Sequence, residues 1–166
     1  MIASNDYKDF ILKIKTQIQN AQIKAVVAVN TELLQLYWDI AKMIVEKQEN
    51  AKWGDGFIKQ MSNDLQKEFP NLKGFSIRNF ELMRKWYLFW KDESVITKQP
   101  VSQLQNLKIF KIPWGQNIVI VSKSKTKKEA IFYLNKTIAN NWSRNILIHQ
   151  IENKLFQRQG KAINNF

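Results

Sequence analysis

A chain of 166 residues, 45% of them hydrophobic, has room for one packed domain or two small ones sharing a core, and is too apolar for general disorder. It holds no cysteine and one histidine, which excludes disulfides and thiolate zinc sites, leaves little for histidine-dependent catalysis and fits a cytoplasmic protein. Lys and Arg exceed Asp and Glu by 26 to 14, and this net charge of +12 points to a polyanionic partner, most simply nucleic acid, although lysine-rich composition also serves solubility.

No apolar run reaches the ~20 residues of a membrane span. The start Met1-Ile2-Ala3-Ser4-Asn5-Asp6 has an acidic first charge and no apolar core behind it, so it does not read as a signal peptide. Residues 6–20 read as a helix with Phe10, Ile14 and Ile18 on one side and Ser4 or Asn5 as cap. Residues 21–49 carry the strongest helical signal. Val26, Val29, Leu33, Leu36, Ile40 and Met43 step by three and four like a heptad seam. Leu34, Tyr37, Trp38, Ala41, Ile44 and Val45 widen the apolar surface. The seam is either the buried face of a central helix or a surface that pairs two copies.

Gly54 and Gly56 break the pattern, with Asp55 as a cap for the next helix, 57–69, which carries Phe57, Ile58, Met61, Leu65 and Phe69. Pro70 and Gly74 bracket a connection. Ser76 then caps a further helix, whose apolar face is Phe80, Met83, Tyr87 and Trp90. Helix, Pro/Gly turn and Ser-capped helix with an early arginine is the order of a helix-turn-helix, here over about 56–90 with a longer connection than the tightest version.

Lys91 to Leu107 is polar and aperiodic, a loop with room for a short helix at 101–107. Ile109 to Val121 is ambiguous: the β-branched run Ile118-Val119-Ile120-Val121 suits a strand, such as the wing of a winged helix, or equally a buried helical turn. Thr126-Lys127-Lys128-Glu129 is a capping box opening a helix to about Ala139, with Ile131, Leu134 and Ile138 inward. Ser143 caps the last helix, striped by Leu147, Ile151 and Leu155 and stopped at Gly160. The fold expectation is mainly α, with a helix-turn-helix or winged-helix-like element and space for one short β-hairpin around 109–121.

Basic residues fall in two groups. Lys73, Arg78, Arg84 and Lys85 surround the Ser76 helix; Lys108, Lys111, Lys123, Lys125, Lys127 and Lys128 bracket the middle segment. Arginine and asparagine read base edges bidentately, whereas lysine mostly meets phosphate. Arg78 and Asn79, beside the Ser76 cap, are therefore the specific candidates, with the lysines on phosphates. At ~100° per residue, Arg78 and Lys85 lie within about 20° of one another and Arg84 about 120° away. Leu82 and Phe89 share the Arg78 side, so another element should cover the second half of this helix.

Catalytic patterns fail their context. Glu152-Asn153-Lys154 matches part of a PD-(D/E)XK nuclease triplet, which needs carboxylates converging from adjacent strands on a divalent cation, yet it lies in a predicted helix. His149 and Glu152 share a helical face without further ligands. No phosphate loop or nucleophile elbow occurs. No metal or cofactor is expected.

Several blocks look like the N-terminal domain of the YhcG-type family. They are Leu36-Tyr37-Trp38-Asp39-Ile40, Trp53-Gly54, Leu65-Gln66-Lys67-Glu68-Phe69-Pro70, Lys73 to Asn79, Met83-Arg84, Ile112-Pro113-Trp114-Gly115-Gln116-Asn117, Trp142-Ser143-Arg144-Asn145 and Gln157 to Ala162. They span nearly the whole chain. Ala41 stands where the family often has Gly, and Gln116 where it often has His. The resemblance implies a bacterial DNA-directed protein with a single helical domain over 1–160, winged-helix-like, followed from 161–166 by a linker to a C-terminal PD-(D/E)XK nuclease not present in this chain. Together, residues and resemblance give a non-enzymatic module that binds double-stranded DNA through Lys73, Ser76, Arg78, Asn79, Arg84, Lys85, Lys123, Lys125, Lys127 and Lys128. A helical interaction or homodimerisation module using the 26–43 seam is the alternative, and RNA binding a third reading without a signature to support it.

Overall fold

The computed structural model describes residues 4–54, 56–92 and 107–160. Among them are six α-helices: α1 (Ser4–Asn50), α2 (Gly56–Glu68), α3 (Ile77–Trp90), α4 (Trp114–Lys123), α5 (Lys127–Asn140) and α6 (Arg144–Glu152). A 3₁₀ turn at Lys108–Lys111 precedes α4, and a π turn at Phe156–Gly160 follows α6. No strand occurs among the described residues. The Asp55 cap, the 101–107 helix apart from Leu107, and the 161–166 linker lie outside them.

The expected break between residues 20 and 21 is absent, and α1 runs 47 residues without interruption. No Gly or Pro occurs between Ser4 and Asn50, and Asn20 alone costs only a few tenths of a kcal/mol, too little to stop a helix. It ends in a left-handed cap. Lys52 has φ 54°, and the Trp53 amide donates back to the Lys47 carbonyl at 3.4 Å. The Lys47 ammonium lies over the Trp53 ring, 5.2 Å from its centre.

The core takes a different stripe of α1 from the heptad seam. Leu34, Tyr37, Trp38, Ala41, Ile44 and Val45 are buried. Val26 and Val29 of the seam are 70% and 69% exposed, and Leu33, Leu36 and Met43 are exposed too. The seam is therefore not the buried face of a central helix.

α3 packs on this buried stripe. Its fully enclosed residues are Phe80, Met83 and Trp86, with Tyr87 only half-buried, so Trp86 rather than Tyr87 centres the face. The Trp86 ring meets Trp38, Phe110 and Trp114 edge-on, with centres 5.3, 5.9 and 5.0 Å away. Edge-to-face contact sets the positive ring edge of one aromatic against the negative face of another.

Of the two readings open for 109–121, the described residues take the helical one, and no hairpin forms there. Backbone carbonyls that a strand ladder would use are taken by side-chain amides. Asn117, buried, donates to the carbonyls of Ile109 at 2.8 Å and Ile112 at 3.1 Å. Asn30 of α1 donates to those of Phe110 and Ile112. Pro113 then opens α4, and Val119, Ile120 and Val121 are buried within it, tertiary burial overriding β-branched propensity.

α5 and α6 close the far side. Thr126 accepts from the Glu129 amide at 3.1 Å, and the Glu129 carboxylate accepts from the Lys125 amide at 3.0 Å. Glu129, Ala130, Tyr133, Leu134 and Thr137 are the buried positions of α5, whereas Ile131 and Ile138 stay exposed. Leu147 and Leu155 are buried and Ile151 half-buried, as the last stripe requires.

The α2–α3 connection is pinned from both sides. Ser62 and Gln66 of α2 donate to the Phe75 carbonyl at 2.7 and 2.9 Å. Gly74 has φ +102°, and a Cβ there would collide with the Tyr37 hydroxyl. Gly74→Ala should therefore cost about 1–3 kcal/mol, read as a lower urea midpoint at unchanged slope.

Burial pushes the phenols of Tyr37, Tyr87 and Tyr133 above their ordinary 10.0; Glu46, Glu49 and Asp92 add to this at Tyr87. The unfolded chain then loses these protons before the folded one. Their contribution is intact below pH ~10 and disappears as pH rises through the folded values. Urea midpoints measured from pH 8 to 11 should stay level and then fall at the alkaline end.

Candidate nucleic-acid interface

Ser76 stands exposed at the start of α3 and accepts from the Asn79 amide at 3.1 Å. Arg78 projects to solvent one residue into the helix and makes no hydrogen bond or ion pair among the described residues. Asn79 turns the other way. Its Nδ2 donates to the Gly74 carbonyl at 2.7 Å and its Oδ1 accepts from Trp114 Nε1 at 2.9 Å. It also bonds the Tyr37 hydroxyl, partly offsetting the rise that burial imposes there. With both amide ends engaged inward, Asn79 is a positioning residue for the start of α3 and not a reader of base edges.

The bond from Trp114 belongs to a wider meeting of helix starts. Gln116, near the start of α4, donates to the Trp142 carbonyl just before α6 at 3.2 Å. The Arg144 side chain lies against Gly115, 3.5 Å from where a Cβ would sit. The first turns of α3, α4 and α6 are thus neighbours. Each carries amides without intrahelical partners and the positive end of a helix dipole. Arg78 and Arg144 are both exposed in these turns. Arg144 was not among the sequence candidates. Its signal was Ser143-Arg144-Asn145, a Ser cap followed by Arg and Asn like Ser76-Ile77-Arg78-Asn79.

The lysine cluster lies at the other end of α3. Lys127 places its ammonium over the Phe89 ring, 5.9 Å from its centre. From Asn79 to Phe89 is about 15 Å of helix rise. Leu82 and Phe89 are half-buried, so the second half of the Arg78 side is partly covered, and Lys127 is what lies on it. Lys85 is exposed on the same side. Lys125 and Lys128 are exposed, and Lys123 sits 4.0 Å from Glu152, an exposed pair worth little.

The structure separates two other cations from this face. Arg84 Nη1 donates to Gln48 Oε1 of α1 at 3.1 Å, so it ties α3 to α1. Lys108 donates to Asn135 Oδ1 at 2.8 Å. Lys73 is exposed on the connection before Gly74.

The nuclease-like triplet has no supporting geometry. Glu152 ends α6, and Asn153 and Lys154 form a turn in which Lys154 has φ 58°. His149 pairs with Asn153 at 2.8 Å rather than with Glu152. Among the described residues no three His, Cys, Asp or Glu side chains gather where they could hold a metal ion. None of the described helices is long and apolar enough to cross a membrane.

Three of the blocks that carry the family resemblance, Lys73–Asn79, Ile112–Asn117 and Trp142–Asn145, meet at these helix starts. A family model for the DUF1016 N-terminal domain matches residues 13–158. The chain belongs to that family. A curated Escherichia coli (strain K12) protein named "Putative nuclease YhcG" is 25% identical over 165 residues, covering 85% of this chain and 43% of the relative. The chain thus spans less than half the length of the curated relative it matches. No solved structure matches it. The YhcG-type resemblance read from the motifs is confirmed. In this DUF1016 N-terminal domain, Asn79→Ala should cost about 1–3 kcal/mol, since it strands the Trp114 donor and the Gly74 carbonyl. A shift in denaturant midpoint would register that loss whether or not DNA is present.

Proposed function

We propose that this DUF1016 N-terminal domain is a non-catalytic, cytoplasmic DNA-binding module that positions the nuclease part of a longer protein on double-stranded DNA. The observation that carries the reading is the solvent-facing side of α3, where Arg78, Lys85 and the Lys127 ammonium over Phe89 share one face. The name of the Escherichia coli relative and the net charge of +12 support it.

α2, the connection and α3 form the unit that meets DNA, with the start of α3 toward the major groove. Arg78 reads a base edge there, guanine being the best match to its fork of donors. Lys85 follows along the same side. Lys73 and Arg144 at one end, and Lys123, Lys125, Lys127 and Lys128 at the other, meet phosphates. Their separation of about 15 Å along α3 is comparable to a groove about 12 Å wide. Ser76 shapes the first turn, Asn79 holds it against α4, and Arg84 braces α3 on α1.

Binding should weaken steeply with salt, because each neutralised phosphate releases counterions. Arg78→Ala with Lys85→Ala should raise Kd at least tenfold, as loss of one good base contact at about 1–3 kcal/mol requires. A duplex titration by anisotropy at several salt concentrations measures both. Unchanged affinity at physiological salt would rule out this face, and preference for single-stranded RNA would rule out the substrate class. The exposed α1 seam favours a second role, the pairing of two copies.

A further inference from the structure

α1 changes character at Asn30. From there on its side chains join the domain, beginning with the Asn30 bonds to Phe110 and Ile112. Among the described residues, none of 4–29 forms a side-chain hydrogen bond to another element; the bonds there, such as Thr16 to Leu12, stay within the helix. These residues form an arm of roughly 40 Å at 1.5 Å per residue. It exposes Phe10, Ile18, Val26 and Val29. A lone helix is marginal in water, and an unburied apolar stripe along it marks a contact surface.

The body of the domain carries the complementary feature. Between the second half of α1 and α2 lies an open apolar groove of about 700 Å³. Leu36, Ile40 and Met43 form its floor and Met61, Leu65 and Phe69 its wall. The floor is the continuation of the arm's own stripe, so arm and groove form one uninterrupted apolar track.

We infer that two copies pair antiparallel through α1, each laying its 4–29 arm along the partner copy's groove. The spacing of apolar residues selects this direction. Ile11, Ile14, Ile18 and Ala25 advance by three, four and seven; Met43, Ile40, Leu36 and Val29 retreat by the same steps. Antiparallel helices therefore set Ile11 opposite Met43, Ile14 opposite Ile40, Ile18 opposite Leu36 and Ala25 opposite Val29, all in one register. The contact is isologous, each copy giving an arm and receiving one. About 60 Å of helix face some 10 Å wide on each copy gives on the order of 1,200 Å² in all, enough for a specific interface. This deepens the second role proposed above and rests on it. Neither Arg78 nor Lys85 lines the groove.

The absence of cysteine makes the register directly testable. Ile18→Cys and Leu36→Cys chains, both altered at exposed positions, are prepared separately and treated with a short bis-maleimide alone and mixed. Light scattering on the unaltered chain accompanies them. The expected result is a mass twice 19.7 kDa, a covalent dimer in the mixture and none from either variant alone. Phe10→Glu with Ile14→Glu should raise the dimer Kd at least tenfold without moving the unfolding of the core. Crosslinking of a single variant with itself would overturn the antiparallel direction. A dimeric mass with no product in the mixture would overturn the arm-in-groove geometry while leaving pairing intact. A monomeric mass would overturn pairing itself.

Discussion

The side-chain amide of Asn79 is the contact on which the candidate interface depends. One small group bonds the Gly74 carbonyl in the turn, the Trp114 indole at the start of α4 and the Tyr37 hydroxyl on α1. Remove it and three elements lose their common reference, because no other polar side chain among the described residues spans them. It acts beside Trp86, whose ring locks the same helices through Trp38 and Trp114. Aromatic packing supplies the burial, and the amide supplies the direction. Together they fix where α3 begins, and therefore where Arg78 points.

The local chemistry of the helix ends was legible in the sequence. Ser76, Thr126 and Ser143 were read as caps, and each accepts the amide three residues on. That signal is short-range and needs no knowledge of partners. The face of a helix is harder, because it depends on what lies opposite. α1 has two apolar stripes, and periodicity ranks them by regularity rather than by burial. The more regular one faces solvent, and the broader aromatic one, with Tyr37 and Trp38, faces the core.

The same limit explains Ile109–Val121 and Asn79. The β-branched run leaves strand and helical turn equally open, and Asn30 and Asn117, donating from α1 and from α4, take the carbonyls that a ladder would need. Asn79 looked suited to an adenine edge because its position in the helix was visible and its partners were not. Arg84 counts among the expected DNA contacts although its helical angle sets it off the Arg78 side, and the structure has it bonded to Gln48 of α1. Function was least legible. The candidate site is spread over three motif blocks, remote in sequence, which come together at the starts of α3, α4 and α6.

The unbroken course of α1 also sets a phase. Each residue turns the helix by about 100° and advances it 1.5 Å. With no glycine, proline or loop between arm and core to absorb an error, the arm's stripe is geared to the aromatic stripe beneath α3. One inserted residue near Asn20 would leave both ends individually well formed yet swing the arm a quarter turn out of alignment. Seven inserted residues would bring the stripes back to within about 20°. Only insertions close to whole numbers of turns, such as seven or eleven residues, keep the two stripes in phase, a constraint on residue number rather than on residue type.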